Sequence, residues 1–461
     1  MTTDRQRAGS SQRKQADAFI HARWIIPVDG SQTCLDHHTL VLNNNTIADI
    51  LPTATADRHW SARQQHHLAE HALIPGFINT HGHAAMTLFR GLADDLPVLE
   101  WLKHHIWPAE AQFVSDSFVY DGTSLAIAEM IRGGTTLFSD NYFYPEAAGQ
   151  AAVDARISCQ LVFPVLDMAT NWSGSAEEAM KKGDDLFSRF QQHDTVSVGF
   201  GPHAPYTVQD GQLKEIIAEA ERRDVAIQMH IHESLQEVEE AVQKSGMRPL
   251  ARLARLGLLS ERLQCTHMVV LNETEIELLA KHDCSVLHCP QSNLKLASGF
   301  APIARLRKAG VNIALGTDGA CSNNDLDMLD EARTASLLAK ASCQDATAMG
   351  AWETLRAATL GGAQALGVAD RTGSLEVGKR ADIAAVRLDE LENLPLYDPV
   401  SQLIYTCGRH QVTDVWCNGH MMMNNRHLTT LDEADIRRRA CEWQRRIAST
   451  MFPENKHVHP S

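Results

Sequence analysis

The sequence predicts an α/β protein: a (β/α)8 TIM barrel with a small β-sandwich domain built from both termini. Three observations carry this. Between about Ala72 and Gly316, short apolar strands alternate with helical stretches eight times, the pattern of parallel strands joined by crossover helices. β-like runs crowd both ends of the chain, before Leu51 and after Gly373. No Gly-x-Gly-x-x-Gly opens a helix, which disfavours a doubly wound dinucleotide-binding sheet. At 461 residues the chain exceeds one ordinary core and suits a large barrel with an appended domain.

Residues 1–15 are polar and are predicted as a disordered tail. The composite β domain is expected over 16–71 and 373–430. Its first half holds Phe19-Ile20, Trp24–Val28, Thr39–Leu42 and Ile47–Ile50, separated by turns such as Asp29-Gly30 and Asn43-Asn44-Asn45. The barrel is expected over 72–372, with strands Ile74–Asn79, Thr135–Ser139, Ser158–Leu166, Val196–Phe200, Ala226–Ile231, Gln264–Val269, Ser285–His288 and Asn312–Gly316. Helices are expected at Ser117–Arg132, Leu213–Arg222, Glu273–Lys281, Ile303–Lys308 and Met349–Leu366. The second β-like group is Gly373–Gly378, Asp382–Val386 and Val412–Gly419. A helix, Leu431–Arg446, falls in a terminal segment 431–461.

Net charge is −15, which argues against a nucleic acid or an anionic membrane as partner. No apolar run reaches the ~20 residues of a membrane helix. Ten scattered cysteines without Cys-x-x-Cys, and no apolar leader in residues 1–15, point to reduced thiols in a cytoplasm.

In such a barrel, functional groups sit at the C-terminal ends of the strands. The first strand ends in His81-Gly82-His83, two imidazoles on one face. Among 23 histidines that pair alone is weak. The fourth strand leads to His203, the fifth to Met229-His230-Ile231-His232-Glu233, the sixth to His267 and the eighth to Thr317-Asp318. Three imidazoles and a carboxylate make a ligand set for Zn²⁺ or Fe²⁺, assigned to His81, His83, His230 and Asp318. His230 and His232 share a face, so either could be the third histidine. Glu233 stands where a proton shuttle is needed, and a neutral His267 could hydrogen-bond the water or the departing group. The fourth strand's end offers no lysine to bridge two ions, so one metal is expected.

The run Pro75-Gly76-Phe77-Ile78-Asn79-Thr80-His81-Gly82-His83, the run His288-Cys289-Pro290-Gln291-Ser292-Asn293 and the run Gly316-Thr317-Asp318-Gly319-Ala320-Cys321 resemble signatures of the amidohydrolase superfamily. The likeness is to its mononuclear nucleoside and triazine branch, and within it to deaminases of 5′-methylthioadenosine and S-adenosylhomocysteine. It covers about Ala18 to Asn425. It implies one divalent ion, Zn²⁺ first and Fe²⁺ second, on His81, His83, His230 and Asp318, and so favours His230 over His232. It implies Glu233 as the proton shuttle, His267 beside it, and a substrate site including His203 and His230. In Pro108-Ala109-Glu110 it implies a ribose-binding carboxylate, which can accept from two vicinal hydroxyls at once. A homo-oligomer, dimer or larger, is implied too. Two departures stand out: Gly82 replaces a threonine, and residues 161–180 hold no Arg or Lys to meet an amino-acid tail. Met168 and Trp172 could instead cover an apolar thioether, with ordinary packing the plainer role for Trp172.

The expectation is hydrolytic deamination of an adenine nucleoside, 5′-methylthioadenosine ahead of S-adenosylhomocysteine. The alternative substrates are guanine, 8-oxoguanine, a pterin or a chlorinated triazine. A non-enzymatic scaffold conflicts with the intact ligand set. A cytidine-deaminase type of zinc site lacks its Pro-Cys-x-x-Cys.

Overall fold

The computed structural model describes residues 13–96 and 98–452. Its centre is a sheet of eight parallel strands in sequential order. They are β1 (Phe77–Asn79), β2 (Thr135–Asp140), β3 (Ser158–Val165), β4 (Val196–Pro202), β5 (Ile227–Ile231), β6 (Leu263–His267), β7 (Ser285–His288) and β8 (Asn312–Leu315). All eight residues of β3 are buried, as a strand with a packed interior on one side and helices on the other requires. The ring closes just past β1, where Thr80 N–H donates to Leu315 O (3.0 Å). The Asn79 side chain ties the same seam from both ends, donating to Thr317 Oγ1 (2.7 Å) and accepting from Thr317 N (3.0 Å).

The crossover helices carry their own start signals. Ser115 caps Asp116–Arg132, Ser175 caps Ala176–Phe190 and Ser234 caps Leu235–Ser245. Asn272 and Glu275 form a reciprocal capping box on Glu273–Lys281. The single helix expected over Met349–Leu366 is two, Ala351–Ala358 and Leu360–Ala365, because Thr359 leaves the helical region (φ −131°, ψ −94°).

Both ends of the chain build the second, mixed sheet, also of eight strands. Its middle strand is Trp60–Pro75, which pairs in parallel with Lys14–Ile25 and antiparallel with Ile383–Arg387. One face gathers Ile20, Leu40, Leu73, Ile383 and Trp416. The other, through Ala72, Ile74, Ala384, Val412 and Val415, merges with the barrel core.

Three expectations change here. Of the tail expected over 1–15, residues 1–12 lie outside the described residues, while Lys14 and Gln15 pair with Trp60 and Ser61 in the first strand. The apolar run Ile74–Asn79, expected as one strand, is shared between the two sheets. The chain bends at Gly76, where a Cβ would lie 2.2 Å from Thr136 Oγ1. Gly373–Gly378 is not a strand. Its backbone caps the sheet through Leu375 N–H to Pro27 O and Gly378 N–H to Ile47 O, both 2.8 Å.

Candidate active site and metal centre

His81, His83 and His230 converge at the C-terminal mouth of the barrel, with one ligand-capable atom from each lying within 4.8 Å of the others. Each ring is oriented through its Nδ1–H. His81 donates to Gln228 Oε1 (2.7 Å), His83 to Asn141 O (2.6 Å) and His230 to His203 O (2.7 Å). This fixes the tautomer that leaves the Nε2 lone pair free for a metal. His81 Nε2 is buried and has no hydrogen-bond partner, which a cation would supply. Asp318 Oδ1 completes the cluster, 3.4 Å from His81 Nε2 and 3.2 Å from His83 Nε2. Its Oδ2 accepts from Ser292 Oγ (2.6 Å) and Ser322 Oγ (2.7 Å).

Asp318 draws positive charge to this point, against the burial that holds His81 below its usual value. Burial alone would push the Asp318 carboxyl up, but the His81 and His83 imidazoles beside it hold it well below the usual range. Burial works against charge on His83, yet Asp318 raises it to about 9. His230 is held well below its usual value, first by burial and then by His81 and His203, so it is a neutral imidazole. The donor set, its tautomers and this field fit a divalent ion.

His232 does not join them. The backbone turns left-handed there (φ 54°), so the strand's alternation fails one residue past β5. Its ring faces away, with Nδ1 donating to Val270 O (2.9 Å) and Nε2 accepting from Leu250 N (3.1 Å). Burial lowers it to about 4. Glu233, half-buried, lies with Oε1 3.9 Å from His267 Nε2. His267 is buried, stacks on His230 at 5.6 Å and donates from Nδ1 to Asn293 Oδ1 (3.0 Å). His203 tilts over His230 at 5.1 Å, and burial with His83 and His81 lowers it to about 4.

Glu110 lies on the helix Trp107–Phe113, within reach of the same mouth. Its Oε1 accepts from Tyr142 Oη (2.7 Å), and the Tyr142 ring is 6.2 Å from His83. Burial raises Glu110 to about 7, against the opposing pull of Tyr142 and His83. Trp172 is not brought to the cluster. Its indole is buried against Phe163 and donates to Glu146 (3.2 Å), while the neighbouring Asn171 holds the Glu110 helix by donating to Glu110 O (2.9 Å). Met168 is exposed. At Gly82 a Cβ would meet nothing nearer than 3.6 Å, so the missing threonine leaves the histidine geometry intact.

Sequence reasoning missed Gln228, Tyr142, Asp140 and Asn293. Gln228 precedes His230 by two and shares its face, a signal that strand alternation carries. Asp140, at the end of β2, accepts from Ala84 N (2.7 Å) and fixes the turn after His83.

A sequence profile of the amidohydrolase family matches residues 72–422. The chain belongs to the amidohydrolase family. It is 47% identical over 432 residues to the 5-methylthioadenosine/S-adenosylhomocysteine deaminase of Saccharophagus degradans, covering 94% of this chain and 97% of that one. It is 42% identical over 361 residues to the 5′-deoxyadenosine deaminase of Methanothermobacter thermautotrophicus, covering 78% and 84%. The crystal structure of an adenosine deaminase from Xanthomonas campestris, with bound zinc, superposes with a TM-score of 0.94 at 45% identity, covering 95% of this chain and all of that one. The barrel carries at its mouth the cluster of His81, His83, His230 and Asp318. No helix among the described residues is long and apolar enough to cross a membrane.

Proposed function

We propose that this amidohydrolase is a hydrolytic deaminase of adenine nucleosides, with 5′-methylthioadenosine as its preferred substrate. The observation that carries the reading is Glu110, a half-buried carboxylate hydrogen-bonded by Tyr142 beside His83. A carboxylate so placed can accept from two sugar hydroxyls while the ring lies over the histidines. The names of the relatives support it.

His81, His83, His230 and Asp318 would hold one ion, Zn²⁺ ahead of Fe²⁺. When bound, it supplies a Lewis acid that makes water nucleophilic near neutral pH. Glu233 takes a proton from the attacking water and delivers it to the ring nitrogen beside the amino-bearing carbon. His267, at 3.9 Å from Glu233 Oε1, hydrogen-bonds the oxygen that adds. His203, neutral, lines the base-binding side. The C–O bond forms, the C–N bond breaks, and the amino group leaves as ammonia with a proton relayed by Glu233.

The loop after β3 favours an apolar 5′ substituent. Residues 161–180 contain no Arg or Lys. Lys182 just beyond is engaged by Glu178 (3.0 Å) and the Trp172 carbonyl.

Ammonia release from a panel of adenine nucleosides, guanine and pterins, with metal analysis on the same sample, tests the reading. Turnover of 5′-methylthioadenosine with kcat/KM above that of S-adenosylhomocysteine is expected. Comparable values would remove the preference, and silence on every nucleoside would remove the function. Glu233→Gln should lose turnover by at least about 10²-fold with metal content unchanged; a near-normal rate would refute its role.

A further inference from the structure

Glu233 reaches the site from a turn, and its side chain is loosely held. Its carboxylate lies 3.9 Å from His267 Nε2, beyond hydrogen-bond distance. Among the described residues, the hydrogen bond that fixes Glu233 is made by its backbone: the N–H donates to Glu237 Oε2 (2.8 Å). The other oxygen of the same carboxylate, Glu237 Oε1, accepts from the backbone N–H of His232 (3.1 Å). His232 is itself anchored, since its carbonyl accepts from Val269 N (3.0 Å) and Val270 N (3.1 Å) and its ring bridges Val270 and Leu250.

We infer that Glu237 is a positioning residue for proton transfer: its two carboxylate oxygens clamp the successive N–H groups of His232 and Glu233 and so hold Glu233 against His267. The inference rests on the role proposed for Glu233. Helix capping does not account for the arrangement. The cap of Leu235–Ser245 is Ser234, whose Oγ accepts from Glu237 N (3.2 Å). The Glu237 carboxylate reaches past that cap to two residues outside the helix. A carboxylate suits the task because it offers two acceptors. Glutamine offers one oxygen and one NH2, setting donor against donor at one of the two backbone groups.

The test compares metal-loaded wild type, Glu237→Gln and Ser234→Ala. Glu237→Gln should lower kcat by about 10²-fold, the scale set by an ångström of misplacement. Its KM should stay within about two-fold of wild type, with equal metal content. Amide exchange in the peptide covering 231–238 should quicken. Ser234→Ala, which removes the cap and leaves the clamp, should lower thermal stability and keep kcat. The inference is overturned if Glu237→Gln keeps the wild-type kcat, loses metal, or is matched in kcat by Ser234→Ala. Should Glu237→Gln fail to fold, Glu237→Asp keeps both acceptors on a shorter arm. An intermediate kcat with quickened exchange supports the clamp, and wild-type values in both overturn it. The exchange measurement needs no substrate. If the wild type deaminates nothing, the proposed function falls, and the clamp stands or falls on exchange alone.

Discussion

At Glu110 the protonation state decides what the residue can recognise. Its carboxyl is raised to about 7 by burial, so the anion, which accepts from two hydroxyls, is the form above that pH. KM for a nucleoside should therefore rise as pH falls through 7, and Tyr142→Phe, which removes a donor to the anion, should make the rise begin at higher pH; a KM flat across this range would exclude the ionised form from binding. Glu110→Ala should raise KM for ribose-bearing substrates by about 10-fold or more, the cost of a lost charged hydrogen bond, measured in steady state. At this scale the strand-end reading reached the residues that converge here: His81, His83, His230, His267 and Asp318. The choice between His230 and His232 was not legible from alternation. Alternation assumes an extended backbone, and His232 turns left-handed (φ 54°). Tyr142 carries no pattern of its own and becomes meaningful only once Glu110 is folded beside it.

Among the elements, the seam between β8 and β1 matters most, because it carries Asp318 on one side and the first histidine pair on the other. Gly316 sits in that seam. A Cβ there would lie 2.8 Å from His81 N and 3.0 Å from His81 O, backbone atoms with nowhere to move. Gly316→Ala should therefore weaken metal retention and lower activity together, as seen by metal content after dialysis; full retention would show that the seam can open without cost. The barrel strands were legible because they are short apolar runs at regular spacing. Trp60–Pro75 was not, because its first two-thirds are polar (Arg63, Gln64, Gln65, His66, His67) and partly exposed. Gly373–Gly378 misled because a turn with Leu375 buried has the same apolar-in, polar-out look as a strand.

For the whole molecule, the histidine and aspartate cluster joins the segments after β1 and β8 to β5, so an ion bound there would stabilise the closed barrel by mass action. Chelation should lower the thermal midpoint, and added Zn²⁺ should restore it in a concentration-dependent way; a midpoint indifferent to chelator would place the site outside the folding unit. The mixed sheet sets a different constraint, one of time. Trp60–Pro75 leads directly into β1, yet one of its edges is covered by Ile383–Arg387, which leaves the ribosome only after the entire barrel has been made. Until then that edge is an unpaired template on a nascent chain, the kind of surface that invites mispairing. Synthesis order thus works against this architecture. A chain terminated before Ile383 should accumulate as aggregate even though every residue of the catalytic mouth is present.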